Sequence, residues 1–175
     1  MLINSKNIEN GIMNSKFGGN SNEKINLTKG VVNSSFHIEW KNLKEESKYI
    51  NIIFIDHDSN PVCSFSWIHW MVADIDVNLK ELEENSSNKN KEIIQGSNSW
   101  SSGLLGSNKH SIVESSNFGG CYPPNKDHTY TLKAYATSEK TNLKKGFFMN
   151  EFLDSIKDIL IEETELNFVY KKIEA

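Results

Sequence analysis

Residues 49–55, Tyr-Ile-Asn-Ile-Ile-Phe-Ile, are the segment that most restricts this chain. The run is nearly continuous in apolar residues and rich in β-branched ones. It is far too short to cross a membrane as a helix. Turn-forming residues follow it at once, as Asp-His-Asp-Ser-Asn-Pro. A run of this kind predicts a central strand buried on both faces. Residues 65–75 predict a second long strand. Strict alternation puts Phe65, Trp67, His69 and Met71 on one face, and Ser66, Ile68, Trp70 and Val72 on the other. It therefore points Trp67 and Trp70 to opposite sides.

The rest of the chain fits around these two strands. Phe36, Ile38 and Trp40 alternate with His37 and Glu39, the mark of a short half-buried strand. Tyr130, Leu132, Ala134 and Ala136 alternate in residues 129–136. Leu166, Phe168 and Tyr170 alternate as a last short strand. Only residues 147–160 change period: Phe148, Phe152, Ile156, Ile159 and Leu160 recur at helical spacing. Residues 1–30 are polar and read as extended segments over a core. Residues 76–92 read as a solvated excursion and residues 95–120 as a long surface loop. A loop of that length is more often functional than idle. No internal repeat or linker divides the chain, so residues 1–175 are expected to form one mainly-β domain.

Composition removes several classes of function. The net charge is −4, and all 19 basic residues are lysines. A nucleic-acid binder needs a basic face, so nucleic acid is not expected as a partner. The absence of arginine also forbids a bidentate guanidinium clamp on phosphate. No signal-like or membrane-spanning run occurs, so a cytoplasmic location and reduced thiols at Cys63 and Cys121 are expected. With 22 Asn and 21 Ser but three prolines, the chain uses proline sparingly. Pro61, Pro123 and Pro124 all fall inside motif-like loops.

Three groups of residues carry possible chemistry. Asp56-His57-Asp58 with Pro61 follows the buried run, where the same residues suit either a turn or a site. Trp67-Ile68-His69-Trp70 holds a histidine between aromatics, which suits either a core histidine or a ligand group. Phe118-Gly119-Gly120-Cys121-Tyr122-Pro123-Pro124 runs into His128-Thr129-Tyr130. Here Gly119 and Gly120 permit positive φ and close backbone approach, and their N–H groups are candidates to face an anion. His128 and Tyr130 project from one strand face. The spacings match no zinc module, so neither a metal nor another cofactor is expected. No P-loop, dinucleotide fingerprint or hydrolase elbow is present.

In this order, the three groups resemble the phosphatidylethanolamine-binding protein family, also called Raf kinase inhibitor-like proteins. That family carries an Asp-Pro-Asp-x-x-Pro type segment, a Trp-x-His-Trp type strand, a Tyr-Gly-Gly-Pro-x-Pro-Pro loop and a His-Arg-Tyr strand. The likeness spans nearly the whole chain and is strongest to the bacterial and archaeal branch. It implies a Greek-key β-sandwich with a few short helices, one near the C-terminus. It also implies a small pocket for a phosphate-like anion or phospholipid headgroup. Asp56, Asp58, Trp67, His69, Gly119, Gly120, Pro123, His128 and Tyr130 would form that pocket. The expected role is a non-enzymatic binding module for a phospho-amino ligand, with a kinase or other enzyme as a protein partner. A scaffold with a vestigial pocket and a hydrolase using the Asp/His groups are the alternatives. The sequence departs from the family at His57, Phe118, Cys121 and Thr129. Phe147, Phe148 and Phe168 are free to pack at home or across a homodimer.

Overall fold

The computed structural model describes residues 1–23 and 26–173. Its strands are β1 (Leu2–Asn4), β2 (Ile8–Glu9), β3 (Ile12–Met13), β4 (Leu27–Thr28), β5 (Val31–Val32), β6 (Ile38–Lys41), β7 (Tyr49–Asp56), β8 (Trp67–Asp76), β9 (Glu81–Leu82), β10 (Ile94–Gln95), β11 (His128–Thr137) and β12 (Leu160–Tyr170). Its α-helices are α1 (Asn60–Cys63), α2 (Ser86–Lys89), α3 (Ile112–Ser115) and α4 (Met149–Ile156). None is long and apolar enough to cross a membrane.

The main sheet has the order β10-β8-β7-β11-β12-β3-β2. The strands β7, β8 and β10 are laid down as antiparallel neighbours. A long connection then returns β11 to the free side of β7. This is the Greek-key order.

The run at residues 49–55 is the centre of that sheet, as its composition predicts. Ile50, Ile52 and Phe54 face one side, and Ile53 and Ile55 the other. The first side is closed by the small sheet β1-β6-β9, which brings Ile3, Ile38, Trp40 and Leu82. Phe36 sits in this layer with ring centroids 5.3–6.1 Å from Phe54, Phe168, Phe118 and Phe17. The second side is closed by Phe147 and by Phe152 and Ile156 of α4, packed on Met71, Ala73 and Tyr135.

Several local expectations change. The helix is shorter than residues 147–160. Phe148 is its N-cap and half exposed, with its N–H held by Glu151 Oε2 at 2.7 Å. Phe147 is the buried ring instead. Leu160 belongs to β12, whose 11 residues replace the short strand expected. Residues 76–92 contain the buried Leu82, Ser86 and Ser87. Residues 95–120 are no free surface loop: Ser97, Asn98, His110, Ser115 and Ser116 are buried. Small polar side chains make this possible by bonding to one another and to backbone carbonyls, as in Ser97 Oγ to Ser115 Oγ at 2.7 Å and Asn98 Nδ2 to the Asn117 carbonyl at 2.8 Å. Residues 1–30 do cover the core, through Ile3, Met13 and Phe17. Within that segment residues 24 and 25 lie outside the described residues.

Candidate functional site

The strand β7 delivers Asp56 to the end of the main sheet with its side chain on the Phe54 side. Next to it in the sheet, β11 opens with His128. Both side chains are nearly inaccessible, His128 at 1% and Asp56 at 3%. His128 Nδ1 lies 2.7 Å from Asp56 Oδ2. The other carboxylate oxygen accepts the Ser59 N–H at 3.1 Å. His128 Nε2 lies 2.7 Å from Asn125 Oδ1.

His69 reaches the same place from β8 by an irregularity. Phe54 pairs with Trp70 and Ile55 with Ile68, so His69 is the extra residue of a β-bulge. The bulge overturns strict alternation. His69 and Trp70 now share the Phe54 side, and Met71 moves to the α4 side. Trp67 and Trp70 therefore do not point to opposite faces. His69 Nδ1 lies 2.8 Å from Gly119 O and 3.1 Å from Gly120 O. Two carbonyls fix the proton on Nδ1 and leave the lone pair on Nε2. Burial holds the pKa of His69 below its ordinary value, and the nearby Asp56 carboxylate only partly opposes this. The ring is thus neutral at neutral pH.

These three side chains form the floor of a cavity of about 150 Å³. Trp67, Trp100, Tyr122, Pro124, Val62, Cys63 and Ser59 complete its lining. A void of that size takes roughly six heavy atoms. Val62 and Tyr122 are also part of the exposed surface, so the wall continues outward as an apolar rim.

Of the residues singled out in sequence, Asp56, Trp67, His69 and His128 line the cavity. The others lie around it. Asp58 turns away: its Oδ2 accepts the Thr129 N–H at 2.9 Å and its Oδ1 meets Lys126 Nζ at 3.3 Å. The Thr129 N–H and Lys126 hold its carboxyl below the usual range. Tyr130 is fully buried behind the floor, 5.2 Å from the His69 ring and 5.5 Å from Phe54. Pro123 is buried and gives its carbonyl to the Ile173 N–H at 3.0 Å.

The role expected for Gly119 and Gly120 also changes. Neither has a positive φ. Their N–H groups are occupied, Gly119 by His69 O and Gly120 by Val32 O, so they face no anion. Close approach is what demands glycine. A Cβ on Gly119 would lie 2.5 Å from Trp100 Cδ1 and Nε1, and one on Gly120 would lie 2.9 Å from Phe17 O. What the loop offers His69 is carbonyl oxygen.

The departures at His57, Phe118 and Cys121 lie off the cavity. Phe118 is core, stacked on Phe54 at 5.9 Å. His57 is exposed and bonded to Ser66 Oγ at 2.8 Å. Cys121 is buried, and burial pushes its thiol well above the ordinary range. Trp100 and Val62 escaped the sequence reading, and Tyr122 and Cys63 stood in it only as a member of the loop motif and as a free thiol. Trp100 rides a single turn capped by Asn98 Oδ1, which accepts the Trp100 N–H at 3.0 Å, and no periodicity announces such a residue. Among the described residues no cluster of His, Cys, Asp or Glu is arranged to hold a metal ion.

A model of the family described as phosphatidylethanolamine-binding protein matches residues 4–171. The chain belongs to the phosphatidylethanolamine-binding protein family. The Bacillus subtilis protein YxkA is 40% identical over 136 residues, covering 77% of this chain and 80% of its own. A UPF0098 protein of Methanothermobacter thermautotrophicus is 26% identical over 143 residues, covering 80% and 84%. Among solved structures, the family homologue CT736 of Chlamydia trachomatis superposes with a TM-score of 0.75 at 20% identity, covering 97% of this chain and 96% of the other. The Escherichia coli protein YbcL, described as a member of the mammalian family, gives 0.72 at 18%, with the same coverage. At these identities the two structures speak for the fold. In the family's terms, the Asp-x-Asp segment, the Trp-x-His-Trp strand and the His-x-Tyr strand each give one side chain to the floor: Asp56, His69 and His128.

Proposed function

We propose that this family member is a non-enzymatic binding module whose cavity takes the oxyanion end of a small phospho-amino ligand, such as a phosphate monoester bearing an ammonium group. The observation that supports it best is the buried His128–Asp56 pair beside the open Nε2 of His69. A cavity with two imidazoles, one carboxylate and aromatic walls suits a group of mixed charge. The chain has no arginine, and among the described residues no lysine lines the cavity, so the positive charge there comes from imidazole.

The sign of the pH dependence follows. His69 is neutral in the free protein because burial lowers its pKa. It donates from Nε2 to an oxyanion only when protonated. Binding should therefore take up a proton and tighten as pH falls. Sulfate keeps its charge between pH 6 and pH 8, so its titration reports the protein alone. Calorimetry is expected to show tighter sulfate and phosphate binding at pH 6, with a heat that depends on buffer ionisation. His69→Ala should weaken binding by roughly 1.5–3 kcal/mol, the range for a charged hydrogen bond. Equal affinity at both pH values, with no proton uptake, would remove the imidazolium mechanism. Comparing O-phosphoethanolamine with phosphatidylethanolamine vesicles separates a free ligand from a lipid-borne one.

A further inference from the structure

The protein already satisfies the best hydrogen-bond donor in its own cavity. Asn125 Oδ1 accepts the Lys126 N–H at 3.0 Å, which identifies the amide oxygen, and not the nitrogen, as the atom on that side. The same oxygen lies 2.7 Å from His128 Nε2. Nε2 must therefore carry a proton and donate. Nδ1 faces Asp56 Oδ2 at 2.7 Å. Both nitrogens of the ring are engaged within the chain. Of the imidazole nitrogens at the floor, the one left open is His69 Nε2.

We infer that Asn125 is a built-in competitor for the site: its side-chain oxygen holds the position on His128 Nε2 that a ligand oxygen takes, and binding swings it away. This rests on the oxyanion reading of the cavity. Three features make Asn125 suited to the part. It follows Pro124, a residue of the cavity wall, and its side chain reaches His128 of the floor. It is exposed, so water can solvate the amide once displaced. The backbone is tied on either side of it. Pro123 O accepts the Ile173 N–H at 3.0 Å, and Asp127 holds Lys171 Nζ at 2.8 Å and the Lys172 N–H at 2.9 Å. Release therefore needs only rotation of one side chain, with the loop left in place. The consequence is selectivity. A weak acceptor such as water or an alcohol cannot outbid an amide oxygen on this N–H, whereas a charged oxyanion can, because ionised acceptors bond about twice as strongly.

The test titrates sulfate and phosphate into the full chain, Asn125→Ala and Asn125→Asp at pH 6.5, with calorimetry and side-chain nitrogen NMR of the histidines. Asn125→Ala should bind both anions about tenfold more tightly than the wild type. Asn125→Asp, which offers His128 a carboxylate and repels the anion, should bind at least tenfold more weakly. Opposite responses at one exposed position cannot come from a general loss of folding. In the free wild type the His128 Nε2 signal should be that of a hydrogen-bonded N–H. Anion should shift it, and Asn125→Ala should shift it without anion. Wild-type binding equal to or tighter than that of Asn125→Ala overturns the competitor and leaves the oxyanion reading standing. Absence of binding to all three proteins overturns both.

Discussion

Replacing Asp56 by alanine removes the acceptor for two donors held out of bulk water. His128 Nδ1 loses its partner at 2.7 Å, and the Ser59 N–H loses its partner at 3.1 Å. With the ring 1% exposed, solvent compensates poorly. Breaking one side of a buried, charge-assisted pair costs about 3–5 kcal/mol, because the surviving group stays buried and unpaired. His128→Ala should cost a similar amount for the mirror-image reason, since it strands a buried carboxylate. Were the two losses independent, the double variant would lose about 6–10 kcal/mol, most of the ~5–15 kcal/mol that holds a domain together. The pair geometry predicts otherwise. The double variant strands neither partner and keeps only the cavity term and the orphaned Ser59 N–H. It should lose about 4–6 kcal/mol, giving a coupling of about 2–4 kcal/mol in the cycle. Urea unfolding of the four proteins, followed by circular dichroism, measures it, with the slope checked for constancy. Single losses that add to within about 0.5 kcal/mol would show that the two groups do not act as a pair.

The same pair shows where sequence reasoning reached and where it stopped. Strands β7 and β11 were legible because burial on one or both faces imprints a period that nearest neighbours carry. Asp56 and His128 were legible as residues able to do chemistry at strand ends. Their contact was not, because it depends on which residue of β11 lies opposite which residue of β7. Tyr130 opposes Asp56, and that register is fixed by pairing across more than 70 residues of chain. His69 failed differently. Alternation assigns a face to every residue of β8, but the bulge inserts one residue and shifts the parity beyond it, moving Trp70 and Met71 together. Glycine at 119 and 120 is required by close contact with Trp100 and with the Phe17 carbonyl, partners that no local pattern identifies. The Ser/Asn-rich segment misled for a related reason. Side chains that look solvated in isolation were buried by satisfying one another.

Two further outcomes test the walls and the frame of the site. In Gly119→Ala the new methyl would meet Trp100 Cδ1 and Nε1 at 2.5 Å, so the indole must move. The expected loss is roughly 1–3 kcal/mol, with a change in tryptophan fluorescence and weaker sulfate binding; an unchanged spectrum would mean that Gly119 does not set the position of Trp100. Asp58→Asn probes the clamp between the two ends of the site. The Thr129 N–H and Lys126 hold the Asp58 carboxyl below its ordinary value, so the ionised clamp stabilises the fold above about pH 4 and is lost as pH falls through the lowered folded value. Asparagine keeps an acceptor for the Thr129 N–H but not the charge. At pH 6 the variant should therefore be weaker by only about 0.5–1 kcal/mol, as suits a half-exposed group. The difference should narrow as pH falls through the lowered folded value and close below it, where wild-type Asp58 is neutral too. A gap that stays constant across the acid limb of the unfolding curve would mean that the carboxylate charge contributes nothing, and that the side chain holds the β11 entry by shape alone.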